Sequence, residues 1–179
     1  MSRVGKKPIQ VPDKTKIIYK DKVITVEGKK GSLKQTIHPD IDLKIEGGFI
    51  TVSAISDNRS GNALHGMTRS LVSNMITGVN NGFERILEIS GIGYRAELKE
   101  KSLIFNLGFS HTVVFDLPEG ISAVVEKNTV IKLSGINKQK LGLAAASIRR
   151  LKPPESYKGK GIKYAEEIIR KKAGKTGTK

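Results

Sequence analysis

Residues 23–53 read VITVEGKKGSLKQTIHPDIDLKIEGGFITVS, and this stretch decides the fold class. Short runs of alternating or β-branched residues predict strands, while glycine, proline and aspartate predict the turns between them. The predicted strands are Val23–Glu27, Leu33–Ile37, Leu43–Glu46 and Phe49–Ser53. Because the connections are only a few residues long, these strands should pair as antiparallel hairpins.

A helix is predicted directly after these strands. Apolar residues recur there at intervals of three and four, which is typical of one buried helical face. The predicted face consists of Leu64, Met67, Leu71, Met75 and Val79. Asn58 and Ser60 are both suitable N-caps, and Asn80-Asn81-Gly82 is a stop signal.

The same apolar pattern returns after an offset of 80 residues, which indicates an internal repeat. The matching pairs are Leu33 with Val113, Ile37 with Leu117, Ile41 with Ile121, Leu43 with Ala123, Ile45 with Val125 and Ile50 with Val130. The strands predicted for the second copy are Ile86–Ile89, Tyr94–Lys99, Leu103–Leu107, Thr112–Leu117, Ser122–Glu126 and Val130–Leu133.

The second copy also ends in a predicted helix. Its apolar face consists of Leu141, Ala144, Ala145, Ile148 and Leu151. It should stop at Lys152-Pro153-Pro154, because proline lacks a backbone donor and clashes with the preceding turn. The sequence therefore predicts an α+β protein with two tandem duplicated domains, 1–82 and 83–179. Each should be an antiparallel β-sheet packed against one α-helix, and a basic C-terminal extension follows.

The excess positive charge lies at the two ends of the chain. The 179 residues include 32 Lys and Arg against 17 Asp and Glu, a net charge of +15. Residues 1–30 hold nine basic and three acidic residues, residues 138–179 thirteen and three, and the stretch between them ten and eleven. Basic blocks of this kind usually contact polyanions, and nucleic acid is the abundant one in cells. The alternative is a pair of flexible tails that only improve solubility.

Several classes of protein are excluded or disfavoured. The chain has no cysteine, which excludes disulfide scaffolds, thiolate zinc sites and thiol catalysis. No apolar run approaches the ~18 residues of a membrane span, and the N-terminus lacks the apolar stretch of a signal peptide. We therefore expect a soluble intracellular protein without a membrane partner.

The signals that resemble enzyme motifs do not hold. Gly174-Lys175-Thr176 resembles the end of a phosphate-binding loop, but Ile169 stands where that loop requires glycine. His38, His65 and His111 lack metal-ligand spacing, and we interpret each as a turn or surface residue. We predict no catalytic residue, no metal and no cofactor.

The second copy has a basic segment after its helix that the first copy lacks. Lys158, Lys160 and Lys163 alternate with Gly159 and Gly161, whose backbone N–H groups suit phosphate oxygens at close approach. Tyr157 and Tyr164 offer ring faces for a splayed base, although Tyr164 could equally be a core residue sharing a helical face with Ile168. The candidate RNA-contact residues are Arg149, Arg150, Lys152, Tyr157, Lys158, Gly159, Lys160, Gly161, Lys163, Lys171, Lys172, Lys175, Arg3, Lys6 and Lys7. The tail from Ala165 is predicted to begin as a short helix.

The segment Pro154–Ile162, PESYKGKGI, resembles the signature of the bacterial-type large-subunit ribosomal protein six family. The opening Ser2–Ile9, the segment Gly91–Tyr94 and the turn Gly108–His111 are similar to that family as well. The resemblance covers essentially the whole chain. It maps the family's RNA-contact motif onto Tyr157, Lys158, Gly159, Lys160 and Gly161.

The resemblance also implies a function. It implies a non-enzymatic structural constituent of the large ribosomal subunit, in the cytoplasm, that binds large-subunit (23S) ribosomal RNA chiefly through its second domain. The expected position is near the stalk base, beside neighbouring ribosomal proteins and close to the region that binds translational GTPases. No homo-oligomer is expected. The residues alone leave three alternatives open: a general DNA or RNA binder, a small enzyme, and a protein attached to anionic membranes.

Overall fold

A computed structural model describes residues 3–56 and 58–174 of the chain. It divides into two compact units, one formed by the residues up to Gly82 with Ile136–Lys138, the other by Phe83–Gly135 with the residues from Gln139 onward. Each unit combines antiparallel strands with a helix. The predicted α+β class with a duplicated sheet-and-helix unit is confirmed.

The first unit contains two three-stranded antiparallel sheets and a long helix. Its elements are β1 (Ile9–Gln10), β2 (Lys16–Lys20), β3 (Val23–Gly28), β4 (Gly31–Thr36), β5 (Ile41–Glu46), β6 (Phe49–Ala54) and α1 (Arg59–Asn80). The strand orders are β2-β3-β4 and β1-β6-β5. The inward side chains of these strands meet the buried face of α1, and Ile24, Val26, Ile41, Ile50, Val72 and Val79 are fully buried.

The second unit repeats this plan and adds one strand. Its elements are β7 (Phe83–Ser90), β8 (Arg95–Lys99), β9 (Ser102–Asn106), β10 (Val113–Asp116), β11 (Ile121–Glu126), β12 (Val130–Gly135), α2 (Lys138–Leu151) and β13 (Gly161–Tyr164). The strand orders are β10-β9-β8 and β11-β12-β7-β13. The core is built around Phe105 with Leu87, Leu103, Leu107, Ile131, Leu133 and Ile148.

The structure confirms the repeat and corrects its alignment at one strand. Strands β5 and β11 span 41–46 and 121–126, so they differ by the predicted 80 residues. In the next strand the buried residues are Ile50 and Val52 in one unit, Ile131 and Leu133 in the other. Matching Ile50 with Val130 is therefore wrong by one residue. The cause is a longer hairpin turn in the second unit, where Glu126 pairs with Val130, whereas Glu46 pairs with Phe49.

The predicted buried face of α1 holds at Leu64, which packs against the core, but is wrong at Met67. Met67 is 51% exposed, whereas His65, Thr68 and Val72 are buried. One position along a helix turns the side chain by about 100°, so these residues define a different face. The helix does begin at the predicted cap, since the Asn58 side chain accepts the Gly61 N–H at 2.6 Å.

The interpretation of His65 as a turn or surface residue is also wrong. Its side chain is only 3% exposed, and its Nε2 lies 2.9 Å from the Val52 carbonyl oxygen. The N-terminal arm covers it: a Cβ on Gly5 would lie 2.5 Å from the His65 Nδ1 atom. His38 and His111 are exposed, as expected.

Candidate nucleic-acid interface

The candidate site begins where α2 ends. Helix α2 ends at Leu151, before the proline pair, as predicted. Two backbone hydrogen bonds close the segment that follows: the Ile162 N–H donates to the Lys152 carbonyl at 2.7 Å, and the Glu155 N–H to the Lys160 carbonyl at 3.0 Å. We call residues 152–160 the basic loop. Because both of its ends are hydrogen-bonded, the loop is anchored to the helix end and to β13.

The basic loop exposes Tyr157 and Lys158 most clearly. Tyr157 is 59% exposed and Lys158 is exposed, while Gly159 and Lys160 are half-buried. Gly159 has a φ of +73°, a conformation that glycine adopts without steric cost. The glycine therefore lets the chain turn sharply between the two lysines.

Gly161 is buried in the sheet, in contrast to the open loop position that the sequence suggested. It is the first residue of β13, which pairs antiparallel with β7, and Gly161 lies opposite Ser90. A Cβ at Gly161 would lie 2.6 Å from the Pro153 carbonyl oxygen and 2.8 Å from that of Lys152. Glycine is required here for close packing and does not present its backbone to a phosphate.

The tail turns back onto the unit after β13, and its described residues, 165–174, do not form the predicted short helix. The Ala165 N–H donates to the Ile86 carbonyl at 3.0 Å, and the Glu167 N–H to the Tyr164 carbonyl at 3.0 Å. The Glu167 carboxylate accepts from Arg149 Nε at 2.8 Å and from the Tyr164 N–H at 3.2 Å. These tertiary contacts outweigh the weak local preference for a helix.

Tyr164 lies in β13, so the helical face suggested for it with Ile168 does not exist. Its ring packs against the core of the second unit. The guanidinium carbons of Arg85 and Arg149 each lie 5.9 Å from the ring centroid. Of its two interpretations, that of a core-contacting residue is the one observed.

Two of the candidate contact residues are paired within the protein. Arg149 makes a two-point ion pair with Glu167, which lowers the pKa of Glu167 and raises the pKa of Arg149. Lys163 lies 2.9 Å from Glu88. These carboxylates already neutralise Arg149 and Lys163, so both side chains support the site from within.

The remaining candidate cations of the second unit have no acidic partner among the described residues. No carboxylate in residues 3–56 and 58–174 lies within ion-pair distance of any of them. They are Arg150, Lys152, Lys158, Lys160, Lys171 and Lys172. The tail is joined to the basic loop at Lys172, whose N–H donates to the Ser156 carbonyl at 2.8 Å. Lys175, also a candidate, lies outside the described residues.

The basic N-terminal arm belongs to the first unit. Arg3, Lys6 and Lys7 are exposed. The arm is held by Arg69, whose Nε donates to the Lys7 carbonyl at 3.2 Å, and by the packing of Gly5 on His65. Its charges are therefore presented from an ordered stretch of backbone.

Phe109 lies beside the candidate site but was not predicted from the sequence. The loop between β9 and β10 brings Phe109 next to the basic loop, and Lys152 Nζ lies 4.4 Å from the Phe109 ring centroid. The His111 ring is nearly parallel to that of Phe109, with an interplanar angle of 18° and 6.1 Å between centroids. The sequence signal was an aromatic residue in a glycine-led turn, Gly108–His111.

Two other kinds of site are not found in the described part of the chain. No group of three His, Asp or Glu side chains is arranged to hold a metal ion there. Among the same residues, no helix combines the length and apolar character that crossing a bilayer requires.

Comparisons with known proteins agree with the duplicated architecture. The family model described as Ribosomal protein L6 matches residues 11–82 and again residues 90–165. The chain is 58% identical over 177 residues to large ribosomal subunit protein uL6 of Desulfatibacillum aliphaticivorans, covering 99% of each chain. It is 56% identical over 176 residues to uL6 of Desulfosudis oleivorans, covering 98% of this chain and 99% of the relative. The uL6 of Acaryochloris marina is 45% identical over 179 residues, with both chains fully covered.

The family model covers more than half of the chain, and these relatives are similar along its whole length. The resemblance carried by Pro154–Ile162 is thereby confirmed. The chain belongs to the ribosomal protein L6 family.

Proposed function

We propose that the chain is a non-enzymatic structural constituent of the large ribosomal subunit that binds and organises large-subunit (23S) ribosomal RNA. The family and the names of its relatives support the place in the large subunit. We further propose a cytoplasmic location near the stalk base, beside neighbouring ribosomal proteins and close to the site of translational GTPases. The resemblance of the basic loop to the family signature supports this finer position.

The observation that carries RNA binding is the set of unpaired cations around the basic loop. Arg150, Lys158, Lys160, Lys171 and Lys172 lie on segments joined by hydrogen bonds, and none has an acidic partner among the described residues. Positive charges held close together repel one another unless a polyanion or counterions neutralise them. A phosphate backbone supplies that neutralisation and releases its own counterions on binding.

The anchoring of the loop suits this role. Because the Lys152–Ile162 and Glu155–Lys160 hydrogen bonds hold the loop in the free protein, little conformational entropy is lost when RNA binds. Arg149 and Lys163 hold the surrounding structure through Glu167 and Glu88, and their charges reach RNA only in competition with these partners. Tyr157 is exposed beside the lysines and can stack on a base or donate its hydroxyl to a phosphate.

The two domains then have different roles. We assign residues 83–179 as the RNA-binding copy, which holds the basic loop and tail. Residues 1–82 are the scaffold copy, whose arm adds a second set of phosphate contacts through Arg3, Lys6 and Lys7. RNA helices are recognised mainly by shape and backbone, so the strands should contribute little sequence readout.

The test is the salt dependence of binding to large-subunit ribosomal RNA. Each phosphate contact contributes about 0.7–0.9 to the slope of log K against log salt concentration. Replacing Lys158 and Lys160 together with alanine should flatten the slope by about one to two units. The matched control replaces Lys99 and Lys101, two exposed lysines at the β8–β9 turn of the same unit.

Equal slopes for the two double variants would show that the basic loop does not bind phosphate, and the proposal would fail. Competition with unrelated duplex DNA separates a ribosomal component from a general binder, because equal displacement by DNA favours the general binder. Retention on washed large subunits in high salt should accompany the specific interaction.

A further inference from the structure

We infer that the second unit binds an unpaired nucleotide of its RNA partner, with the base against Phe109 and His111 and the adjoining phosphate at Lys152. This inference rests on the proposed RNA-binding function and names the kind of RNA that the site takes. It assigns a role to the β9–β10 loop, residues 107–112. Phosphate binding by the basic loop does not explain why this loop exposes aromatic rings.

The first observation is that the aromatic side chains face solvent. Phe109 is 39% exposed and His111 is exposed. Among the described residues, Phe109 does not belong to the group of side chains that packs on the core of the second unit, whereas Tyr94 and Phe115 do. A nearly parallel pair of exposed rings contributes little to folding but offers flat surfaces on which a base can stack.

The second observation is that the loop is held in place before any ligand arrives. Gly108 has a φ of +72°, and a Cβ on it would lie 2.8 Å from Tyr94 Cε1. On Gly91 a Cβ would lie 2.5 Å from Tyr94 Cδ2, so both glycines approach the same ring closely. Because Tyr94 packs on the core, it fixes the base of the loop that carries Phe109.

The third observation is the position of Lys152. Its ammonium lies 4.4 Å from the Phe109 ring centroid, and its carbonyl accepts the Ile162 N–H at 2.7 Å. A cation over an aromatic ring keeps N–H groups directed away from the ring, and these can donate to a phosphate oxygen. The ring pair and the charge therefore lie within the span of one nucleotide.

The chemistry favours an unpaired nucleotide over a regular RNA helix. In a helix every base face is covered by its neighbours, so aromatic rings find a base to stack on only in loops, bulges and ends. Phosphate binding alone requires cations and gives no reason for exposed rings. Lys158 and Lys160 of the basic loop have no acidic partner within the described part of the chain, and such charges favour a polyanion over a protein partner.

The experiment compares two pools of RNA hairpins with the full-length protein. One pool carries a single bulged 2-aminopurine, and the other is fully paired and otherwise identical. Wild-type protein should prefer the bulged pool and quench the 2-aminopurine fluorescence by stacking. Phe109→Leu should reduce that preference by about five- to 140-fold, the range measured for base stacking on aromatic side chains, and leave the salt slope unchanged.

The matched control is Phe49→Leu, which changes an exposed phenylalanine of similar exposure, 46%, in the first unit. It should leave both affinities unchanged. Gly108→Ala should reproduce the loss seen with Phe109→Leu although the ring is retained, because the new Cβ would displace the loop from Tyr94.

The inference fails if Phe109→Leu weakens both pools equally or leaves the quenching intact. It also fails if wild-type protein binds both pools equally with a steep salt slope, and in that case the proposed RNA-binding function stands. If wild-type protein binds neither pool nor large-subunit RNA, the proposed function itself fails.

Discussion

Replacing Gly161 with alanine should destabilise the second unit, whereas the same replacement at Gly142 should stabilise it. Gly161 has a φ of +138°, and its new Cβ would lie 2.6 Å from the Pro153 carbonyl oxygen. Gly142 lies inside α2, and a Cβ there would have no neighbour within 4 Å. The same glycine-to-alanine change therefore meets a crowded backbone at Gly161 and open space at Gly142, both within the second unit.

The magnitudes follow from these surroundings. A side chain in a backbone region reserved for glycine costs about 1–3 kcal/mol. The clash is with backbone atoms, so β13 must also move away from Lys152, and the Ile162 hydrogen bond is worth about 0.5–1.5 kcal/mol. We expect Gly161→Ala to lose about 2–4 kcal/mol of unfolding free energy. Gly142→Ala should gain about 0.5–1 kcal/mol from helix propensity.

Urea denaturation of both variants measures these values, since a shift of the midpoint at constant slope reports stability alone. Hydrogen exchange at the Ile162 amide adds a local measurement. It should accelerate in Gly161→Ala and stay slow in Gly142→Ala. A Gly161→Ala protein with the wild-type midpoint and a protected Ile162 amide would refute the close packing of β13 against the basic loop.

Two further outcomes concern the helix start and the tail. Asn58→Ala should cost about 1 kcal/mol of unfolding free energy, because it leaves the Gly61 N–H without its acceptor, while Ser60→Ala should cost far less; thermal unfolding of both measures the difference. The pKa of Glu167 is lowered, chiefly by its hydrogen bond from Arg149, so the folded state releases this proton more readily than the unfolded chain. The resulting stabilisation is complete above the ordinary carboxyl pKa of about 4.3 and is lost as pH falls through the lower folded value. Glu167→Gln should remove that part of the acid dependence, and parallel stability curves for wild type and variant below pH 5 would contradict it.

Strands bounded by strong turn signals could be predicted from the sequence. Strands β5 and β11 alternate clearly and follow the turns Pro39-Asp40 and Pro118-Glu119-Gly120. Strand β1 could not be predicted, because two residues between Pro8 and Pro12 carry no period. It exists because Ile9 pairs with Ile50 on β6, a contact between residues distant in sequence.

Strand β13 could not be predicted from the sequence either, for a related reason. Its glycine and lysine suggest a loop, and only its pairing with Leu87–Ser90 on β7 makes it a strand. The buried face of α1 was misplaced because the covering element is the N-terminal arm at Gly5, whose contact with His65 no helical periodicity can reveal.

The candidate cations could be predicted from composition. Which of them form ion pairs within the protein could not. Lys158 and Arg149 look alike in the sequence, yet Arg149 is paired with Glu167, 18 residues away, and Lys158 is not paired among the described residues. Which charges remain available depends on how the tail turns back after β13, and that is a tertiary property. The Phe109 loop was missed for the same reason, since its link to Lys152 crosses from one loop to another.

The two units close their cores differently, and this difference creates the basic loop. In the first unit α1 continues to Asn80, and its second half buries Val72, Ile76 and Val79. In the second unit α2 stops at Leu151, and Ile162 of β13, fully buried, packs into the core instead.

The chain between the shortened helix and the added strand must therefore leave the core and return to it. That excursion is the basic loop, and its return strand is hydrogen-bonded to β7 along Gly161–Tyr164. A flexible basic tail would lose conformational freedom on each phosphate it bound, whereas a loop anchored at both ends has already lost much of it during folding. The proline pair therefore shapes the surface that we propose for RNA binding, because the helix ends there and the chain that follows forms the anchored basic loop.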